Sequence, residues 1–201
     1  MANKKNKVKF NICNVHYAPI TVAEEGTVTF GTPVPMPGAV SISMDPTGEP
    51  ESFYADGIEY YVINNNQGYD GDLELAMIPE SFRTDILKEE ADANKVLVEN
   101  ANSETGSFAL LFEFDGDIRK IRHVLYNCSA SRPTIESKTN EEDKEVQTET
   151  LTIKARPMAS GYVKAKTGDS TTDTVYNNWY KTVYEPTAVA EQASKNTQAS
   201  K

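Results

Sequence analysis

Apolar and polar residues alternate with a period of two in several stretches of this chain. The alternation is clearest over residues 8–12, 40–44, 73–77 and 151–155. A strand points successive side chains to opposite faces, so each stretch predicts a strand with one buried face.

Two turn sequences predict hairpins. The first is an Asp-Gly pair between the apolar stretches 53–55 and 58–63, and Asp-Gly supplies the positive φ angles that tight hairpin turns need. The second is an Asp-Gly-Asp sequence between 108–114 and 118–126. Because 108–114 is almost entirely apolar, we expect this strand to be covered on both faces.

Helical signals are few. Pro79 suits a first helical turn, and Phe82 and Ile86 lie four residues apart, so we predict a helix over about residues 79–91. Aromatic and apolar residues recur at three- and four-residue steps over 174–184, which favours a second helix, although so many aromatic and β-branched residues also suit a strand.

The polar segments set the predicted domain limits. Residues 136–149 hold six acids and two lysines, which indicates a solvated loop. The stretch 186–201 is too polar to pack and predicts a disordered tail. The prediction is therefore one mainly β domain over residues 1–185, with one flanking α-helix and long loops.

Composition narrows the function classes. The chain has 201 residues, 20 Lys plus Arg against 30 Asp plus Glu, and a net charge of −10, which disfavours binding to phosphate backbones. Two cysteines form no disulfide framework and are typical of a reducing compartment. No apolar run is long enough to span a bilayer, and no signal-peptide apolar region follows the basic start.

Candidate chemistry is weak. Cys13, His16, His123 and Cys128 are zinc-type residues, but residues three or five apart on a strand point to opposite faces. No nucleophile elbow or nucleotide-binding glycine motif is present, and the Asp-Gly-Asp sequences lack a full calcium-ligand series. We therefore expect no enzyme activity, no catalytic residue, no metal and no cofactor.

A basic cluster stands out in this acidic chain. Arg119, Lys120 and Arg122 lie on the predicted strand after the second hairpin turn, beside His123. Alternation divides them between two faces, which weakens a phosphate-binding interpretation. They are better interpreted as partners of acids, either within the subunit or on a neighbouring copy.

Five blocks, taken in order, resemble one protein family. They are Asn14-Val15-His16-Tyr17-Ala18-Pro19, Phe53-Tyr54-Ala55-Asp56-Gly57 with Tyr60, Gly68 to Ala76, Phe108 to Asp117, and Arg122 to Cys128 with Arg132-Pro133. Together, over about residues 8–185, they resemble the major tail protein, or tail-tube subunit, of siphophages of Gram-positive bacteria.

The resemblance implies a tail-tube-type β-sandwich or barrel in a virion protein. Subunits of this family close into hexameric rings, and the rings stack into a tube through which phage DNA passes without specific binding. The implied partners are further copies of the chain, the tail terminator, the tape measure protein and the distal tail protein, with assembly in the host cytoplasm and no membrane.

Three regions are candidates for contacts between subunits: the acidic loop 136–149, the N-terminal segment and the basic cluster. We expect the acidic loop to become ordered on polymerisation and the basic cluster to pair across subunits. The candidate residues are Glu136, Glu141, Glu142, Asp143, Glu145, Glu149, Arg119, Lys120 and Arg122.

The alternative is a monomeric β-sandwich that binds carbohydrate or peptide. Tyr60, Tyr61 and Tyr69 could stack on sugars if they are exposed, and they could equally belong to a core. A small hydrolase is a weaker alternative, because no site for it is evident in the sequence.

Overall fold

The computed structural model describes residues 5–139 and 145–187, and the chain is mainly β, with 46% strand and 7% helix. The strands are β1 (Lys9–Val22), β2 (Val28–Phe30), β3 (Val34–Pro35), β4 (Ala39–Thr47), β5 (Glu51–Ala55), β6 (Ile58–Ile63), β7 (Gly68–Leu75), β8 (Glu90–Ala91), β9 (Leu97–Val98), β10 (Phe108–Gly116), β11 (Ile121–Ala130), β12 (Glu149–Arg156) and β13 (Lys164–Lys166). The helices are α1 (Glu80–Asp85) and α2 (Asp173–Asn178).

Nine strands form one large antiparallel sheet. Its main path runs β2-β1-β10-β11-β12-β7-β4, with β3 added to β1 and β13 added to β11. Strands β5 and β6 form a separate hairpin, and β8 and β9 form a second small one. The sheet folds over on itself, because β1 and β4 approach each other although they share no ladder. This arrangement confirms the predicted mainly β sandwich.

Strand β10 is buried on both faces, as its apolar sequence predicts. Phe108, Leu110 and Phe112 enter the main core between the two halves of the sheet, which α1 closes with Phe82. On the opposite face, Leu111 joins a second core. That second core is covered by α2 and the segment after it, and its other members include Ala18, Ala109, Val124, Tyr126, Trp179 and Val183.

Both predicted helices exist, but each is shorter than its periodicity suggests. Helix α1 ends at Asp85, and the chain reaches a left-handed conformation at Lys88, with φ 62°, before β8. Helix α2 ends at Asn178. Apolar residues beyond the last regular turn of each helix, such as Leu87 and Val183, are also buried, because packing decides their positions.

The first predicted hairpin is confirmed. Asp56 and Gly57 have φ of 53° and 77°, which is the geometry of a tight two-residue turn between β5 and β6. The second turn lies later than predicted, since Gly116 still pairs with Lys9 in the β1–β10 ladder.

The N-terminal segment explains the displaced second turn. The Oδ1 atom of Asn6 accepts hydrogen bonds from the backbone N–H groups of Ile118 and Arg119, each at 3.0 Å. Its Nδ2 donates to the Arg119 carbonyl at 2.6 Å. The turn is therefore fixed by a residue more than a hundred positions away, which no local pattern could indicate.

The burial pattern predicted for the start of β1 is only partly reproduced in the structure. Ile12 is buried, but Val8 and Phe10 are 48% and 58% exposed. Asn11 adopts a positive φ of 24°, and the ladder with β10 shifts register between Phe10 and Ile12. A bulge changes which face the following side chains occupy, so the period-two pattern does not continue across it.

Candidate assembly surfaces

The basic cluster is held within its own chain. The Nε atom of Arg122 donates to Oε2 of Glu113 at 3.0 Å, and the Nζ atom of Lys120 lies 2.9 Å from Oε1 of the same carboxylate. Glu113 is only 3% exposed, so this is a buried charge with two cations. The hydrogen bond to Glu113 is the main reason that the pKa of Lys120 is raised. The carboxylate partners predicted for this cluster are therefore present in the same subunit.

The same cluster fastens α2 to the sheet. The guanidinium groups of Arg119 and Arg122 each lie 3.7 Å from the ring centroid of Tyr176. Arg119 also pairs with Asp173 at 3.1 Å, and the hydroxyl of Tyr180 donates to Glu113 at 3.3 Å. A pairing of these cations with a second subunit stays a prediction, and it would have to compete with these contacts.

Part of the acidic loop lies among the described residues. Glu136 and Glu145 are exposed, whereas Glu141, Glu142 and Asp143 lie outside the described residues. Their role in assembly, and the ordering of the loop on polymerisation, stay predictions.

Glu149 has partners within its own chain. It begins β12, where its carboxylate accepts hydrogen bonds from the Ile78 N–H at 2.5 Å and from Nη2 of Arg83 at 2.7 Å. Its carboxylate thereby ties β12 to the start of α1.

The hairpin β5–β6 is the most exposed apolar feature of the described residues. Seven of its large apolar side chains are between 38% and 68% exposed: Phe53, Tyr54, Ile58, Tyr60, Tyr61, Val62 and Ile63. Both faces of β6 are open to solvent, since all six of its residues are exposed. An isolated hairpin is marginally stable in water. A large exposed apolar surface on such a hairpin therefore indicates a surface that binds a partner.

The sequence located this hairpin but left open whether Tyr60 and Tyr61 are exposed or belong to a core; in the structure both are exposed. Apolar residues occupy both phases of β6, at Ile58, Tyr60 and Val62 and also at Tyr61 and Ile63. A strand with two apolar faces is normally buried on both. In a single copy neither face is covered, and that mismatch is the signal that a sequence analysis could have used.

The hairpin extends an edge of the large sheet. It leaves β4 after Thr47 and returns to β7 at Gly68, and these two residues pair with each other. Strand β4 has a ladder with β7 alone among the described strands, so its other edge carries unpaired backbone groups. Such an edge is a template for a strand of another chain.

The outer face of β4, β7 and β12 is polar and uncovered. Ladder pairing aligns Ser43, Asp72 and Thr152 in one row across the three strands. Thr152 Oγ1 donates to Asp72 at 2.8 Å, and Ser41 Oγ donates to Glu74 at 2.8 Å. The hydrogen bonds from Thr148 and Ser41 lower the pKa of Glu74, so this face keeps its negative charge.

A cavity of about 330 Å³ opens between the two halves of the sheet, and we call it the mouth pocket. It is lined by Lys9, Ile42, Ser43, Met44, Tyr69, Phe112, Phe114, His123, Val124, Leu125 and Lys164. The His123 ring stacks on Phe112 with centroids 5.1 Å apart. Burial, with smaller contributions from Lys166, Lys164 and Lys9, lowers the pKa of His123 to about 4.

The residues considered for metal binding are placed in ordinary packing. Within the ranges 5–139 and 145–187 there is no group of three or more His, Cys, Asp or Glu side chains that could hold a metal ion. Cys128 is fully buried, and burial raises the pKa of its thiol to about 12. In the same ranges no helix has the length and apolarity needed to cross a bilayer.

These features define a mainly β structural protein with an open sheet edge and an exposed apolar hairpin. Residues 3–193 match the family model described as phage tail tube protein, and the chain belongs to that family. It is a structural protein of the phage tail, and the family is not an enzyme family.

The chain was also compared with solved structures and with curated proteins. A solved structure, the tube-terminating cap of the anti-feeding prophage, is similar with a TM-score of 0.44 and 9% sequence identity, over 84% of this chain and 98% of that chain. No curated protein matches the sequence.

Proposed function

We propose that copies of this chain pair through their sheet edges into closed, hexameric rings, and that the rings stack into a tube that conducts phage DNA. Membership of the phage tail tube family supports assembly into a tube. The observation that carries the proposal is the β5–β6 hairpin, which extends the unpaired edge of β4 and exposes apolar side chains on both faces.

A single copy leaves backbone hydrogen-bonding groups unpaired and apolar side chains exposed to water. The unpaired N–H and C=O groups along β4 gain partners when a neighbouring strand adds to the edge. Burying apolar surface stabilises an interface by roughly 25 cal/mol per Å², and large aromatic side chains contribute most of such area. The hairpin holds four of these, Phe53, Tyr54, Tyr60 and Tyr61. Ring closure removes the free edges altogether.

The channel would be lined by the outer face of β4, β7 and β12. One face of the β1–β10–β11 half of the sheet is covered by α2, and both halves meet in the main core. The remaining broad face carries Asp70, Asp72 and Glu74 among short hydroxyl side chains. Lys154 and Arg156 lie beside Asp70 on this face, and Asp72 and Glu74 have no cation partner among the described residues. Ionised carboxylates repel DNA phosphates, so DNA would pass this surface without binding it.

The wider setting of the proposal follows the sequence resemblance. The tube would belong to a siphophage of a Gram-positive host and would assemble in the host cytoplasm. Its ends would contact the tail terminator and the distal tail protein, and the tape measure protein would occupy the channel before ejection.

The experiment compares two variants that each remove two exposed apolar side chains. Phe53→Ser/Tyr61→Ser alters a cross-strand pair of the hairpin, whereas Val96→Ser/Val98→Ser alters exposed valines near and in β9. After far-UV circular dichroism confirms folding, polymerisation is measured by sedimentation and negative-stain microscopy. We expect tubes or rings from the wild type and the valine variant and little polymer from the hairpin variant. Equal polymerisation of all three proteins would contradict the proposal.

A further inference from the structure

We propose that the β5–β6 hairpin of one copy docks over the mouth pocket of an adjacent copy, with hairpin carboxylates facing the lysines at the pocket rim. This inference rests on the proposed function, because it requires copies to assemble. It adds which two surfaces meet and what chemistry joins them.

The hairpin is acidic as well as apolar. Residues 48–67 contain Glu49, Glu51, Asp56 and Glu59 and no lysine or arginine. All four carboxylates are exposed, and none forms an ion pair among the described residues. A surface that combines exposed aromatic rings with unpaired carboxylates fits a partner that combines aromatic rings with cations.

The mouth pocket has that complementary chemistry. The Nζ atom of Lys9 lies 4.8 Å from the Phe114 ring centroid, and the Nζ atom of Lys164 lies 4.2 Å from the Tyr69 ring centroid. Both lysines are exposed and form no ion pair within the ranges that the structure describes. The contribution of both to the lowered pKa of His123 supports a positive field in the pocket.

Other grooves on the described surface fit the hairpin less well. The groove beside the second hairpin turn holds Arg119 and Lys120, but these cations already pair with acids of the same chain. Its third cation, Lys166, shares the lining with Asp169, which repels an acidic partner. A groove along Ile12 to Val15 and Pro35 to Ala39 has no charged side chain. The groove beside α2 includes Glu185, which repels an acidic partner.

The proposed contact joins neighbours within one ring, with the end of the subunit that carries the hairpin facing along the tube. Met44 and Tyr69 line the mouth pocket, and the hairpin starts after Thr47 and ends before Gly68, so both surfaces lie at the same end of the subunit. The hairpin does not fill its own pocket, because its side chains are exposed. Stacked rings bring opposite ends of subunits together, whereas side-by-side copies bring like ends together. A contact between two different patches on neighbouring copies is the kind that closes rings.

Charge reversal with compensation tests the pairing. Glu51→Lys/Glu59→Lys and Lys9→Glu/Lys164→Glu should each raise the protein concentration needed for polymerisation by at least about tenfold. Combining all four substitutions restores the net charge and should recover most of the loss. The matched control combines the hairpin reversal with Lys95→Glu/Lys181→Glu, which restores the same net charge at exposed lysines outside the pocket and should not rescue.

Cross-linking provides a readout that does not depend on charge. Tyr60→Cys and Lys9→Cys are made in separate chains that also carry Cys13→Ser, and the two chains are mixed before polymerisation. Oxidised glutathione is then added as the oxidant, and it accepts the two electrons and two protons that the thiols lose. We expect a disulfide-linked dimer from this mixture and none when Lys181→Cys replaces Lys9→Cys. Wild-type polymer without the cross-link and without charge rescue would overturn the docking and leave the proposed function intact. Absence of any wild-type polymer would instead overturn the proposed function, and the docking with it.

Discussion

Replacing Arg122 with methionine tests whether the buried carboxylate of Glu113 holds the C-terminal segment on the sheet. The substitution keeps an unbranched apolar stem but removes the guanidinium group and its charge. It deletes the hydrogen bond from Nε to Glu113 and the hydrogen bond from Nη1 to the Tyr176 carbonyl. It also removes one of the two cations that lie over the Tyr176 ring.

The expected cost follows from the burial of the pair. The side chains of Glu113 and Arg122 are 3% and 16% exposed. Removing one partner of a buried ion pair costs about 3–5 kcal/mol, and the lower end applies here because Lys120 still contacts Glu113. A loss of about 3 kcal/mol lowers Tm by roughly 6–12 °C in a chain of this length. Adding Glu113→Leu removes the orphaned charge and should restore at least about 1 kcal/mol.

The assay is urea unfolding of unassembled subunits, followed by far-UV circular dichroism and by tryptophan fluorescence. Trp179 is the single tryptophan, is 2% exposed, and lies directly after α2, so its emission reports undocking of that segment. We expect the fluorescence transition of Arg122→Met to precede the dichroism transition. Arg119→Met is the control, because it removes the other cation over Tyr176 and leaves Glu113 paired. Its acidic partner Asp173 is 89% exposed, and such surface pairs contribute at most about 1 kcal/mol. A loss below about 1 kcal/mol for Arg122→Met, or no recovery in the double variant, would refute the reasoning.

Three further predictions concern the fold. Phe82→Ala should destabilise by about 3–5 kcal/mol in urea titrations, because this fully buried ring contacts two other aromatic rings and its loss leaves a cavity; a cost below about 1 kcal/mol would contradict that packing. Gly71→Ala should separate β4 from β7, since an added Cβ would lie 1.8 Å from the Ser43 carbonyl oxygen, and unchanged hydrogen-exchange protection of β4 would show otherwise. Between about pH 4 and 6.5 the folded state binds fewer protons at His123 than the unfolded state does, because burial lowers the pKa of this side chain to about 4. The contribution of His123 to stability is therefore fully present above about pH 6.5, and up to about 3 kcal/mol is lost as pH falls to about 4. His123→Phe should flatten this dependence, and an unchanged pH profile would count against it.

A fourth prediction concerns the tube. Reversing charge on the polar sheet face with Asp72→Lys/Glu74→Lys should leave subunit folding intact, because both positions lie on the uncovered face. If that face lines the channel, tubes of the variant should retain double-stranded DNA at low salt and release it at high salt. Binding of DNA only to the outside of the tubes, seen by electron microscopy, would place this face elsewhere.

The sequence by itself determined the class of the fold and the positions of most strands. Alternation at β12 is reproduced residue by residue, with Leu151, Ile153 and Ala155 buried and their neighbours exposed or half-buried. The apolar run of β10 correctly indicated a strand covered on both faces. These features are local, because period-two patterning and Asp-Gly turn chemistry act over a few residues.

Only the tertiary structure decided where charges and exposed surface lie. From the sequence alone, the basic cluster could pair within the chain or between chains. In the structure, Glu113 on the neighbouring strand pairs with two of its members, Lys120 and Arg122, within the same chain. The second hairpin turn lies later than the sequence predicts, because Asn6, near the other end of the chain, accepts hydrogen bonds from its backbone N–H groups. The hairpin β5–β6 has the sequence of a doubly buried strand pair and yet is open on both sides. Partners across a sheet are distant in sequence, so the chain encodes what each surface is made of, and folding decides which surfaces remain for another copy.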